Sequence, residues 1–236
     1  MRGFLINVVR LSSLLAAALT LLFCSSCGID TIAYLSEKPS VQSSDESALV
    51  FKGPGIEDDN YYGVFVFYKI YAIESDAASD LNSLETRQNA ENAVPGSNVE
   101  SFLVSSSGLD YKQLVLDKNL SIPTLDKDVL AMSNFANITF AAASNVEPTL
   151  VIKDATINSV LREYEVRRNA IGSNGSYLSF LEEPQKGNQD YKSSTSDEEM
   201  REYYIQFFAA AYGLDFSDLS ELYGNAVYLG RIVTRY

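Results

Sequence analysis

The chain has no histidine and no tryptophan, and its only two cysteines, Cys24 and Cys27, fall within the first 27 residues. Without histidine there is no Ser-His-Asp or Cys-His arrangement, no histidine-ligated zinc and no imidazole switch near neutral pH. Without a cysteine beyond residue 27, no disulfide staples the rest of the chain. Positive charge is scarce: 18 Lys and Arg stand against 31 Asp and Glu, a formal charge of −13. The densest basic cluster, Arg162, Arg167 and Arg168, is interleaved with Glu163 and Glu165. No basic patch of the kind that binds nucleic acid is present, and neither a phosphate-binding glycine loop nor a dinucleotide fingerprint occurs. What remains is the chemistry of carboxylates, lysine and tyrosine, which is found by geometry rather than by motif.

What is there begins with an export signal. Arg2 and Arg10 precede an apolar run from Leu11 to Phe23, followed by small residues and a cysteine, the layout of a secretory signal peptide. The run is shorter than the ~20 apolar residues of a spanning helix. Ser25-Ser26-Cys27-Gly28 resembles the lipobox of bacterial lipoproteins, in which the cysteine thiol is acylated before the signal peptide is removed. Cys24 stands where that box usually has Leu, Val or Ile, and the bulk of Phe23 makes Cys24 the worse acceptor. The expectation is a signal peptide over 1–26, lipidation at Cys27 and residence on a membrane through the lipid anchor. An ordinary cleaved signal that leaves a thiol at Cys27, or an uncleaved anchor, are the alternatives. Gly28 is not the aspartate that retains enteric lipoproteins at the inner membrane, which favours the outer membrane or the cell surface.

Cleavage after residue 26 leaves 210 residues and removes two arginines but no acid, so 16 basic side chains face 31 acidic ones, a charge of −15. Residues 27–47 read as a lipidated cysteine and flexible tether, with Pro39 and the polar run Ser40 to Ser47 offering little to bury. Residues 48–236 then form a single β-rich domain. Ala48–Lys52 reads as a strand stopped by Gly53-Pro54-Gly55. Gly63–Tyr71 is the clearest strand, with Val64, Val66, Tyr68 and Ile70 on one face and Phe65, Phe67, Lys69 and Tyr71 on the other, so that one face is core and the aromatic one is covered or amphipathic.

The Gly63–Tyr71 stretch, the run Tyr203 to Gly213, and the triplets Leu222-Tyr223-Gly224 and Tyr228-Leu229-Gly230 resemble uncharacterised spirochaetal lipoproteins, in which a lipobox and short tether precede a Gly-Tyr-x-x-Tyr-Tyr-Lys-x-Tyr strand. The resemblance covers the anchor, the early strands and the last forty residues. It implies surface or periplasmic display and no assigned activity. Tyr203–Tyr212 also resembles the late central strand of fibronectin type III modules, an aromatic run ending in Ala-x-x-Gly, which makes Gly63–Tyr71 its natural neighbour. Helical spacing of Met200, Tyr203, Tyr204, Phe207, Phe208 and Ala211 after the Ser196–Glu199 capping box supports the rival reading of this segment.

Ser75–Asn92 has helical spacing and a stop at Pro95-Gly96. Val99–Ser105, Tyr111–Asp117, Phe135–Ala142, Thr149–Lys153 and Ala226–Thr234 are expected strands. Asp154–Ile171 fits two periods, with Ile157, Val160, Leu161 and Tyr164 at helical spacing and Val160, Arg162, Tyr164 and Val166 alternating; the strand reading is favoured for Val160–Arg168. Gly172–Ser196 reads as an exposed excursion and Asp215–Tyr223 as a helical turn. The expected fold is therefore mostly β: an antiparallel immunoglobulin/fibronectin III-like sandwich with one or more helical insertions.

Glu57, Asp58, Asp59 and Asn60 have oxygen ligands for calcium but no EF-hand spacing, and a solvated loop is the simpler reading. Asp126 with Asp128, and Asp215 with Asp218, have the same standing. No metal or cofactor is expected. Fifteen tyrosines suit either a glycan or peptide site or packed sheet faces with hydroxyls at the rim. The expected role is a non-catalytic display or binding module with a protein or glycan partner. A small-ligand carrier or a carboxylate-based glycan hydrolase is the alternative.

Overall fold

Two long strands, Tyr61–Tyr71 and Tyr203–Leu214, lie side by side at the centre of the protein with both faces covered. They belong to a computed structural model that describes residues 35–55, 59–116, 125–128, 135–139, 147–153, 160–193 and 202–236. The signal peptide, Cys27, the first part of the expected tether, Glu57, Asp58 and the Ser196–Glu199 capping box lie outside the described residues. In chain order the elements are β1 (Ser40–Ser44), β2 (Ala48–Lys52), β3 (Tyr61–Tyr71), helix α1 (Glu74–Gln88), a π-helical turn (Val99–Leu103), β4 (Lys112–Gln113), β5 (Val115–Leu116) and β6 (Leu125–Asp126). They continue with β7 (Phe135–Thr139), β8 (Thr149–Lys153), β9 (Val160–Arg167), β10 (Tyr191–Lys192), β11 (Tyr203–Leu214), β12 (Glu221–Tyr223) and β13 (Val227–Thr234).

The protein is a mostly β sandwich. One sheet runs β1-β2-β7-β8-β9-β5; the other runs β10-β3-β11-β12, with β13 also on β11 and β4 and β6 also on β3. Pairing is antiparallel throughout except for the two-residue contact of β10 with β3. The expected partnership of β3 and β11 is present, antiparallel from Tyr204 opposite Tyr71 to Gly213 opposite Tyr61.

Alternation explains why both strands are almost continuously apolar. Val64, Val66, Tyr68 and Ile70 face inward with Ile205, Phe207 and Ala209, and meet Leu49, Phe51, Leu150 and Ile152 of the other sheet. Phe65, Phe67 and Tyr71 face outward with Phe208, Ala210 and Tyr212, and are covered by Ala77, Leu84, Val99 and Leu103. A strand buried on both faces has no polar side. Size is matched across the pair: Ala209, Ala210 and Ala211 lie opposite Val66, Phe65 and Val64, which leaves room for the aromatic rings. Each large ring taken from water contributes about 1.5–3 kcal/mol.

Helix α1 buries Ala77, Asp80 and Leu84, one narrow stripe, against that outer face. Glu74 and Asp76 in its first turn and Arg87 in its last complement the helix dipole. Glycine is required at Gly213, where a Cβ would stand 2.1 Å from the Asn60 carbonyl oxygen. At Gly230 (φ +138) a bulge opposite Phe207 and Phe208 brings β13 against Ser44 and Leu49.

Several local expectations are corrected. Ser40–Ser44, assigned to the tether, forms β1 on β2 with all five residues exposed, because an edge strand needs only backbone partners. Val99–Ser105 is a π-helical turn rather than a strand; Val99 and Leu103 are both buried one turn apart, and the Val104 N–H reaches the Val99 carbonyl. Of the expected strand Tyr111–Asp117, whose last residue lies outside the described ones, the described part is two short strands that switch sheets at Leu114, β4 pairing with β3 and β5 with β9. Asp215–Tyr223 is a tight turn followed by β12 rather than a helical turn. The Asp215 carboxylate accepts from the Ser217 N–H and the Asp218 carboxylate from the Ser220 N–H, 2.8 Å each, which closes the β11–β12 hairpin. No helix among the described residues is long and apolar enough to cross a membrane.

Candidate functional site

The expected exposed excursion, Gly172–Ser196, is in part a correction too: it is clamped from inside the sandwich. Arg168, the first residue after β9, and Asp190, the last before β10, are both fully buried and form a two-pronged pair. Arg168 Nε donates to Asp190 Oδ2 and Nη2 to Oδ1, each at 2.8 Å. Nη2 also donates to Asn188 Oδ1 at 2.9 Å and Nη1 to the Glu182 carbonyl at 3.1 Å. Tyr68 of β3 donates its hydroxyl to Asp190 Oδ2 at 2.7 Å and accepts the Asn169 N–H at 2.5 Å. Such planar, charge-assisted bonds are the strong ones.

The clamp ties the two ends of the excursion to the end of β3. The Ile70 N–H donates to the Asp190 carbonyl at 2.9 Å, and the Ala72 N–H to that of Lys192 at 3.1 Å. Within the excursion Phe180 is buried edge-on against Tyr68, ring centroids 5.1 Å apart. The Tyr236 hydroxyl donates to the Phe180 carbonyl at 2.8 Å and the Tyr203 hydroxyl to Glu183 at 2.6 Å. Burial opposes the charge on Arg168, but the hydrogen bonds and charge of Asp190 prevail and raise its pKa. Burial first, and Asp190 second, push the Tyr68 phenol well above its ordinary range. On this frame Ile171, Leu181 and Tyr236 stand exposed.

A second polar cluster lies on the opposite face, under α1. Tyr71 donates to Asp80 Oδ2 at 2.8 Å, the Tyr71 and Tyr111 hydroxyls are 2.7 Å apart, and Gln206 Nε2 donates to Tyr111 at 2.8 Å. Lys192 Nζ reaches Asp80 Oδ1 at 2.9 Å, and Lys69 Nζ stands 3.6 Å from Oδ2 while donating to the Leu109 carbonyl. Burial lowers the pKa of Lys69, with Lys192 adding to the effect and Asp80 opposing it. Among the described residues the two buried aspartates, Asp80 and Asp190, are thus both held in ion pairs.

The residues singled out from sequence are scattered. Asp126 accepts the Asp128 N–H, and Asp215 and Asp218 serve their own turn. Asn60 is used through its backbone, accepting from Leu214. Among the described residues no group of three or more acidic side chains is placed to hold a metal. Of the tyrosines, Tyr61, Tyr68, Tyr71, Tyr111, Tyr203 and Tyr212 are core residues. An open groove of about 700 Å³ runs along α1, lined by Ser75, Ser79, Asn82, Arg87 and Phe102 among others, with no carboxylate in its wall. The sequence names Arg168 in a basic cluster and Lys69 on the aromatic face of a strand, but the buried networks they form with Asp190 and Asp80 were missed. Asp80 carried a signal, an acid on the same helical face as Ala77 and Leu84; for Arg168 and Asp190 nothing local pointed to burial. In comparisons with known proteins, no family model, no curated protein and no solved structure matches the chain.

Proposed function

We propose that this is a membrane-anchored lipoprotein, acylated at Cys27, that acts as a non-catalytic display or binding module and recognises a protein or glycan surface through the clamped excursion 168–193. The observation that carries this reading is the placement of that excursion. It sits at the Tyr71 end of β3, whereas the chain comes in at the other end, where Leu35 packs on Tyr61, Ala211 and Leu222. Eleven residues of β3 separate the two ends, about 33 Å at strand rise. A loop held rigid by a buried ion pair keeps its exposed side chains preorganised, which lowers the entropy lost on binding. Loops on a rigid scaffold are where recognition concentrates. The pairing of Asp80 and Asp190 with cations speaks against either as a free acid–base carboxylate.

The test has two arms. In bacteria expressing the full chain, palmitate labelling is expected for the natural protein and is lost in Cys27→Ser; labelling that persists overturns the anchor. Incubated with envelope glycans, the purified protein is expected to leave them intact. Hydrolysis abolished by Asp80→Asn or Asp190→Asn, in a variant that keeps its fold, would replace the binding module with an enzyme.

A further inference from the structure

The most exposed large apolar side chains among the described residues are Leu219 and Phe216, 71% and 57% accessible, three residues apart on the turn between β11 and β12. The turn is not a loose loop. The Leu219 N–H donates to the Asp215 carbonyl at 2.7 Å and the Asp215 N–H to that of Ser220 at 2.9 Å, with the two aspartate carboxylates bonded to its own backbone. Leu219 is held at φ 63, a conformation glycine would take without strain. Phe216 lies beside Tyr62, ring centroids 6.3 Å apart, and Lys127 Nζ lies over the Tyr62 ring, 5.6 Å from its centroid. Two apolar side chains are therefore presented stiffly to the outside at one end of the sandwich.

That end is also where the chain arrives. The Leu35 side chain packs against Tyr61, Ala211 and Leu222, and lies 3.4 Å from the position a Cβ would take at Gly213, three residues before Phe216. Cys27 is eight residues ahead of Leu35, so chain length alone keeps its sulfur within about 30 Å of that point. The geometry points to a lipid surface as the occupant of this turn: Phe216 and Leu219 dip into the headgroup–acyl boundary of the membrane that holds the acyl chains of Cys27. This rests on the proposed acylation, which supplies the high local concentration that two side chains lack by themselves. The membrane is a zwitterionic one. Asp215 and Asp218 lie within the turn, Glu221 begins the strand after it, and the mature chain is strongly acidic, so anionic headgroups repel it. Seating this end on the bilayer turns the 168–193 end outward.

Because the chain has no tryptophan, Phe216→Trp introduces a single indole reporter at an exposed position. The full-length acylated protein is reconstituted into phosphatidylcholine vesicles carrying doxyl-labelled acyl chains. The expected result is a blue-shifted emission from position 216 that loses most of its intensity to the doxyl groups, while an Ile171→Trp control is unquenched. Adding phosphatidylglycerol should weaken the quenching at 216, and Leu219→Asp in the same background should abolish it. If mass spectrometry shows Cys27 acylated and the protein floats with the vesicles, yet the indole at 216 is unquenched, the inference fails and the anchor stands. A blue shift that grows with protein density but ignores the doxyl label would mean a second copy covers the turn, and also overturns it. A protein that is unacylated and does not float sinks both readings together.

Discussion

Tyr68 and Lys69 are neighbours on β3, yet they point to opposite faces of the sheet and each anchors a different buried polar network. On the inner face, Tyr68, Arg168 and Asp190 form a closed set with one positive and one negative charge, both wholly buried. On the outer face, Lys69 and Lys192 share the single carboxylate of Asp80, and the Lys192 side chain is 37% exposed. Gln206 Oε1 has no hydrogen-bond partner there among the described residues. The inner network holds a backbone excursion and the outer one docks a helix. Closing an irregular segment onto a core demands that every buried charge be satisfied, whereas a helix brings its own backbone bonds and tolerates a looser polar seam.

The sharpest way to break the comparison is Arg168→Ala, which leaves Asp190 buried without its partner. A loss of about 3–5 kcal/mol in urea unfolding is expected. The double replacement Arg168→Met with Asp190→Leu should recover most of it, because removing both charges also removes their desolvation cost. A single-substitution cost under about 1 kcal/mol, the range of an exposed pair, would show that the clamp is not buried in solution.

Lys69→Met should cost less, on the order of 1 kcal/mol, since Asp80 keeps Lys192 and Tyr71. Its signature is in the pH profile. The Lys69 pKa is lowered by burial, so the unfolded chain holds that proton more tightly. Lys69 therefore makes stability rise with pH from its depressed folded pKa up to about 10.4, the ordinary lysine value. The phenols of Tyr71 and Tyr111 have the opposite sign. Burial raises both, the folded state keeps the protons, and stability falls once pH passes about 10. In unfolding midpoints measured from neutral to alkaline pH, Lys69→Met should lose the rise and keep the fall.

The smallest effect expected is a gain. Leu219→Gly relieves a left-handed backbone at an exposed site and should raise stability by about 1 kcal/mol, while weakening contact with phosphatidylcholine vesicles. If stability drops instead, the side chain packs in solution and is not presented to the outside.

Several elements were legible because their cause is local. The two-faced alternation of Val64 to Tyr71, the aromatic run of Tyr203 to Tyr212 and the spacing of Ala77 and Leu84 each follow from a repeat that matches a strand or a helix. The rival helical reading of Tyr203–Tyr212 was undone by β3, whose backbone groups and facing rings pair with that segment along nearly its whole length. Val99 and Leu103 fit either a strand end or a helical turn, and only the outer aromatic face they cover selects the turn.

By itself the amino-acid sequence determined the strand and helix periods, the acidic charge, the exclusion of histidine and thiol chemistry beyond residue 27, and the run from Arg2 to Cys27 on which the anchor proposal rests. The tertiary structure alone decided that Arg168 meets Asp190, that the chain changes sheets at Leu114, and that Leu35 arrives beside the Phe216 turn. The physical reason is range. Periodicity, caps and turns are set by neighbours a few residues apart, whereas a buried ion pair depends on which distant backbone segments pack together, and no local pattern of side chains encodes that meeting.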